Sequence, residues 1–205
     1  ELGRALLDAK LRKQRVCLLR LNRRTSADTI KAGIDTITHA LNDLNTSSNP
    51  AELMGHEGAA AAAYFRALYV AVPTGLGYCG LRTRRPPQDI LNAALSFGYA
   101  LLTAEAAGAL ASVGLEPSLG ILHRDYRQRP SLALDLMEEF RPWVVDQAVL
   151  ALARQHRLRN EHGTDNQGNG IYLTQAGREA VIDAYERRMN TRVKGALPNY
   201  AGTIR

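Results

Sequence analysis

Residues 26–45, Ser26-Ala27-Asp28-Thr29-Ile30-Lys31-Ala32-Gly33-Ile34-Asp35-Thr36-Ile37-Thr38-His39-Ala40-Leu41-Asn42-Asp43-Leu44-Asn45, place Ile30, Ile34, Ile37, Leu41 and Leu44 at steps of 4, 3, 4 and 3. Apolar side chains at that spacing form one stripe along an α-helix. Thr25 and Asp28 stand in capping-box spacing at its start, and Thr46-Ser47-Ser48 ends it.

The same period extends in both directions. Residues 2–22 form a first helix with Leu2, Leu6, Leu7 and Leu11 on one face. A third begins at Asn49-Pro50-Ala51-Glu52, an N-cap type followed by proline at the first helical position, and runs to about Val70. Residues 73–87, rich in Gly, Arg and Pro, are a loop. Helix four, about 88–113, is apolar enough to be the buried centre of a bundle. After a second loop at 114–129, helix five starts at Pro130 with Ala133, Leu136, Met137, Phe140 and Val144 on one face; Pro142 kinks or divides it. The polar stretch Glu161–Gly170 is an exposed loop or small hairpin, placing a possible hairpin at 161–173. A last helix covers Thr174–Met189. The expected fold is all-α, with residues 1–190 as one helical domain and 191–205 as a loose tail.

A chain of 205 residues is long enough to bury its own core without a disulfide or structural metal. At 45% hydrophobic and 22% charged it has a globular composition, which argues against disorder. Cys17 and Cys79 are too few for a disulfide framework or a Cys-rich zinc site, and suggest a reducing, cytoplasmic setting. No uninterrupted run of about 18 apolar residues exists, so no membrane partner is expected. Glu1-Leu2-Gly3-Arg4 looks like neither an initiator Met nor a signal peptide, so the chain is expected to be the back half of something longer.

The charge is concentrated. Residues 1–25, with Lys10 and Arg15 among them, carry eight Lys and Arg against two acids, an excess equal to the net +6 of the whole chain. Arg82, Arg84 and Arg85 form a second knot before Pro86-Pro87. Such clusters attract polyanions by counterion release, and a phosphate backbone is the commonest of these. A solvated helix face has the same composition.

Three features suggest chemistry. Glu57 lies between Gly55 and Gly58 ahead of a run of alanines, and each helical glycine costs about 1 kcal/mol relative to alanine. The pattern suggests room for a close neighbour: another helix, a metal or a phosphate backbone. The pair His56-Glu57 is not the zinc-protease motif, because position 60 is Ala. His123 is a lone loop histidine, followed by Asp135, Glu138 and Glu139 on helix five. Asp135 and Glu138, at i and i+3, can point toward one space, where their repulsion calls for an arginine, a proton or a divalent cation. An ordinary acidic face accounts for the same residues, and a helical wheel does not choose between Glu138 and Glu139. Gly75-Leu76-Gly77-Tyr78-Cys79-Gly80 matches a dinucleotide fingerprint only nominally, since arginines and prolines follow where a helix should open.

Three stretches together resemble a known family: Glu52-Leu53-Met54-Gly55-His56-Glu57-Gly58-Ala59; Arg84-Arg85-Pro86-Pro87-Gln88-Asp89-Ile90-Leu91-Asn92-Ala93-Ala94-Leu95-Ser96-Phe97-Gly98-Tyr99; and Arg129-Pro130-Ser131-Leu132-Ala133-Leu134-Asp135-Leu136-Met137-Glu138-Glu139-Phe140-Arg141-Pro142. The chain is similar, over nearly its whole length, to the C-terminal helical domain of the CRISPR-associated integrase "Cas one". The N-terminal β domain, through which that family usually dimerises, is expected to lie outside the residues of this chain.

The resemblance implies a metal-dependent DNA endonuclease and integrase that inserts foreign fragments as spacers into a CRISPR array. It implies a Mn²⁺ or Mg²⁺ site made by Glu57, His123 and Glu138, with Asp135 as a supporting carboxylate, and no protein nucleophile. Arg82, Arg84, Arg85, Lys10 and Arg15 would hold double-stranded DNA, namely the foreign fragment and the CRISPR repeat. Asn92 and Tyr99 would line the site. The implied partners are a small ferredoxin-like protein, "Cas two", and a second copy of the chain as a homodimer. The competing class is a non-catalytic helical DNA-binding or assembly module whose acids are structural; metal binding discriminates the two.

Overall fold

The computed structural model describes residues 2–46, 50–122, 129–194 and 201–204. Seven α-helices follow one another among these residues: α1 Leu2–Asn22, α2 Asp28–Thr46, α3 Pro50–Leu68, α4 Ile90–Ser112, α5 Ser131–Phe140, α6 Gln147–Arg154 and α7 Gln175–Met189. Two short antiparallel hairpins join them, β1 Gly163–Asp165 with β2 Ile171–Leu173, and β3 Arg192–Lys194 with β4 Ala201–Thr203. The all-α expectation holds, and the hairpin expected at 161–173 is β1–β2.

Helix α2 buries the stripe that its spacing requires: Ile30, Ile37, Leu41 and Leu44 are buried and Ile34 half-buried. It comes close to its neighbours at Gly33, where a Cβ would stand 3.0 Å from Ala67 of α3 and 3.0 Å from Leu18 of α1. The capping box does not form. Thr25 still belongs to the end of α1, its N–H bonded to Leu21 O, and α2 starts from Ala27 O, which accepts from Ile30 and Lys31. Asp28 pairs with Lys31 instead.

Helix α1 packs on α2, α3 and α5. Its buried face is Leu7, Lys10, Leu11, Gln14, Cys17, Leu18 and Leu21, a helical stripe interrupted by two polar side chains. Leu2, expected on that face, is exposed, because it lies a turn before the stripe meets its partners.

Helix α4 is the long central element. By length and composition alone it could cross a membrane. Here it packs against α5, α6, α7 and β2, and buries Leu91, Leu95 and Leu102 against them. Asp89 caps it, accepting from the Asn92 N–H at 2.8 Å. Pro142 divides the fifth predicted helix rather than merely kinking it. Proline has no N–H, and residues Pro142–Asp146 open into a π-helical turn, with the N–H groups of Val145 and Asp146 both reaching Arg141 O. Within the described part of residues 191–205, β3 pairs with β4, and the Ile204 N–H bonds Met189 O at the end of α7.

Candidate metal centre

Helices α1, α3 and α5 meet around a cavity of about 670 Å³ whose lining includes Lys10, Gln14, Glu57, Arg82, Tyr99, Glu138, Arg141 and Asp146. The stripe of α1 turns Lys10 into this space, since position 10 falls between Leu7 and Leu11 on the buried face. Lys10 Nζ donates to Glu57 Oε1 at 2.5 Å and stands 2.7 Å from Glu138 Oε2. The Lys10 and Glu138 side chains are each 9% exposed and that of Glu57 is 18% exposed, so little water screens the trio.

Glu138 has a second cation, Arg141, whose Nη1 donates to its Oε1 at 2.5 Å. Burial opposes its charge, but Arg141 and then Lys10 outweigh burial and hold the carboxyl down at about 2. Arg141 is in turn fixed by Tyr99, with its guanidinium 4.1 Å from the ring centre. The Tyr99 hydroxyl donates to Asp146 Oδ1 at 2.5 Å and the Tyr64 hydroxyl to Asp146 Oδ2 at 2.9 Å. Burial, foremost, raises Asp146 above the usual carboxylate range.

The structure therefore brings Glu57 and Glu138 together and leaves Glu139 out of the cavity lining. His123, the third residue implied by the resemblance, lies outside the described residues. Asp135 is fully buried beneath the chain that leads to it: its Oδ2 accepts from the N–H groups of Ile121 and Leu122. Among the described residues no group of three His, Cys, Asp or Glu side chains surrounds one point. Two observations test whether the carboxylate pair fits a divalent ion. A positive ion, the Lys10 ammonium, already stands between them. Among the described residues Glu138 Oε2 is also buried without an aligned hydrogen-bond donor, its contact with Lys10 being an ion pair. Carboxylate oxygens of this kind fit a hard cation such as Mn²⁺ or Mg²⁺.

The basic residues divide into two groups. Lys10, expected on a DNA-facing surface, is buried for the reason above. Arg82 also turns inward. It donates to Asn92 Oδ1 at 2.8 Å and Ser96 Oγ at 2.9 Å and to the neighbouring Thr83 carbonyl. Asn92 is fully buried and uses its amide on Leu81 O and Asp89, so it fastens the 81–83 loop to α4 rather than lining the cavity. Arg15 is half-buried and donates to Thr38 of α2 at 2.9 Å. Arg84 and Arg85 are exposed, and Arg84 lines the cavity mouth. Among the described residues no helix packs on the glycines flanking Glu57: a Cβ at Gly55 or Gly58 would meet no described atom within 4 Å.

The sequence profile described as CRISPR associated protein Cas1 matches residues 1–187. The chain belongs to the Cas1 family. It is 40% identical over 198 residues to CRISPR-associated endonuclease Cas1 2 of Rhodospirillum rubrum, covering 92% of this chain and 58% of that protein. It is 44% identical over 154 residues to CRISPR-associated endonuclease Cas1 1 of Thermus thermophilus, covering 75% and 48%. The chain thus spans about half the length of these Cas1 relatives. Among solved structures it is similar to a casposase bound to integration product, with a TM-score of 0.89 and 26% identity, over 100% of this chain and 59% of that one. It also resembles a CAS1 protein from Thermotoga maritima, with a TM-score of 0.79 and 28% identity, over 91% and 57%. A chain of a Cas6-RT-Cas1–Cas2 complex shares the fold, with a TM-score of 0.80, 23% identity and coverage of 92% and 21%.

Proposed function

We propose that this Cas1 chain is the catalytic part of a divalent-metal-dependent DNA endonuclease and integrase that inserts foreign DNA as CRISPR spacers. The observation that supports it best is the convergence of Glu57 and Glu138, from α3 and α5, on one buried cation position. In this reading Glu57, Glu138 and His123 would hold Mn²⁺ or Mg²⁺, and the chemistry supplied there would be Lewis-acid stabilisation of charge on phosphate oxygens. Water in hydrolysis, or the 3′-hydroxyl of a foreign fragment in integration, forms the new P–O bond as the strand's own P–O bond breaks. Arg141 and Tyr99 hold Glu138 in place, and Asp135 sets the chain ahead of His123. The exposed Arg84 and Arg85 contact the duplex backbone, and the face of α3 beside Gly55 and Gly58 admits it. A Cas2 partner, a homodimeric assembly and a cytoplasmic setting belong to the same reading, and its integrase part is supported by the likeness to a casposase bound to integration product.

Glu57→Ala or His123→Ala, with the circular dichroism spectrum retained, is expected to abolish Mn²⁺-dependent cleavage or strand transfer of duplex DNA. Full activity in both variants overturns the proposal. A second reading, a helical DNA-binding or assembly module, is favoured by Lys10 already neutralising both carboxylates. Absence of Mn²⁺ binding in calorimetry supports that alternative.

A further inference from the structure

Lysine 10 is the cation that lets two acids share a buried space. Among the described residues, removing it without replacement leaves Glu57 without a cation and Glu138 with Arg141 alone, so the buried pair calls for a positive charge at this point. An ammonium 2.5 and 2.7 Å from the two carboxylates occupies the region that a metal bound by both would fill, and two cations there repel. If the acids take a metal, Lys10 has to leave.

The structure contains a destination for it. Gln14 follows Lys10 by four residues, one helical turn along the same buried face of α1, and lines the same cavity. Gln14 is 3% exposed, and among the described residues its Oε1 has no hydrogen-bond partner. A buried amide oxygen without a donor is unfavourable, and a lysine ammonium with its flexible four-carbon stem is a suitable donor.

We propose that Lys10 is a positioning residue with two seats: it holds Glu57 and Glu138 converged before a divalent metal binds, and moves one helical turn to Gln14 Oε1 when the metal enters. This rests on the reading of Glu57 and Glu138 as metal ligands. The acids are thereby kept facing one point without the metal, at the cost of competition between lysine and metal.

The test is calorimetric titration of Mn²⁺ into the 205-residue chain, with thermal melts in the absence and presence of Mn²⁺. Lys10→Met is expected to melt lower than the parent without metal, to gain more from Mn²⁺, and to bind it about tenfold more tightly. Gln14→Leu, which leaves the ion pairs intact, is expected to bind Mn²⁺ about threefold more weakly, because the displaced ammonium has no acceptor. In Lys10→Met the additional Gln14→Leu change is expected to have no effect on affinity, and this coupling is what a merely structural glutamine would not produce. Equal or weaker Mn²⁺ binding by Lys10→Met overturns the role of Lys10. An unchanged affinity in Gln14→Leu overturns the second seat. Should neither the parent nor Lys10→Met take up Mn²⁺, the metal reading itself is overturned.

Discussion

Asp135 Oδ2 accepts the backbone N–H groups of both Ile121 and Leu122, at 2.5 and 2.9 Å, so the carboxylate of α5 fixes the chain that enters residue 123. A hydrogen bond to a charged acceptor contributes about 1.5–3 kcal/mol. Asp135→Ala is therefore expected to lower stability by about 2 kcal/mol or more and to speed hydrogen exchange at the 121 and 122 amides. Asp135→Asn, which keeps one acceptor oxygen, is expected to fall between that and the parent. Unchanged exchange at those two amides in Asp135→Ala counts against the anchoring role.

Gly98 is where α4 touches the π-helical turn. A Cβ built there would lie 2.6 Å from Val145 Cγ1, and valine has little rotamer freedom with which to retreat. Gly98→Ala is expected to destabilise by about 1–3 kcal/mol despite alanine's better helix propensity. Adding Val145→Ala removes the clashing methyl groups, so the double variant should recover part of the loss in urea denaturation. Simple additivity of the two changes would show that the contact is not the cause.

The helices were legible wherever one face was uniformly apolar, as in α2, because burial alone then fixes the period. The site was harder to read for the opposite reason. Charge alone groups Lys10 with the basic segment 1–25 and gives Gln14 no signal, although positions 7, 10, 11, 14, 17, 18 and 21 trace one helical face. A lysine on such a face is the signal of a buried ion pair. Arg82 was likewise grouped with Arg84 and Arg85 by adjacency, whereas the side chain of Asn92, ten residues on, recruits it inward. The choice between Glu138 and Glu139 depends on the neighbour that α5 meets, a long-range contact with Lys10 that no local spacing specifies.

The two cysteines should differ sharply in reactivity. Cys17 is 3% exposed, and burial, with Asp146 adding to it, pushes its thiol up to about 12. At pH 8 only about one molecule in ten thousand carries the Cys17 thiolate, the form that reacts. Iodoacetamide at pH 8 is expected to modify the exposed Cys79 alone, with Cys17 labelled only in denaturant. Mass spectrometry showing comparable labelling of both in the folded chain would contradict this packing of α1.

Asp146 joins α3, α4 and the π-helical turn through the Tyr64 and Tyr99 hydroxyls. Asp146→Ala leaves both buried donors without an acceptor, at about 1–3 kcal/mol each. Asp146→Asn preserves hydrogen bonding and is expected to cost less, with a pH dependence that follows from the direction of the Asp146 shift. Burial raises this carboxyl in the folded chain above its ordinary 3.8. The unfolded chain therefore loses its proton first as pH rises, and above 3.8 the parent is progressively destabilised until the folded carboxyl also ionises. Asparagine has no proton to lose there, so the stability deficit of Asp146→Asn relative to the parent should shrink between pH 4 and pH 7 in urea titrations. A deficit that grows over that range would mean that Arg141 and Arg82 dominate the site and that the carboxylate is held in its charged form.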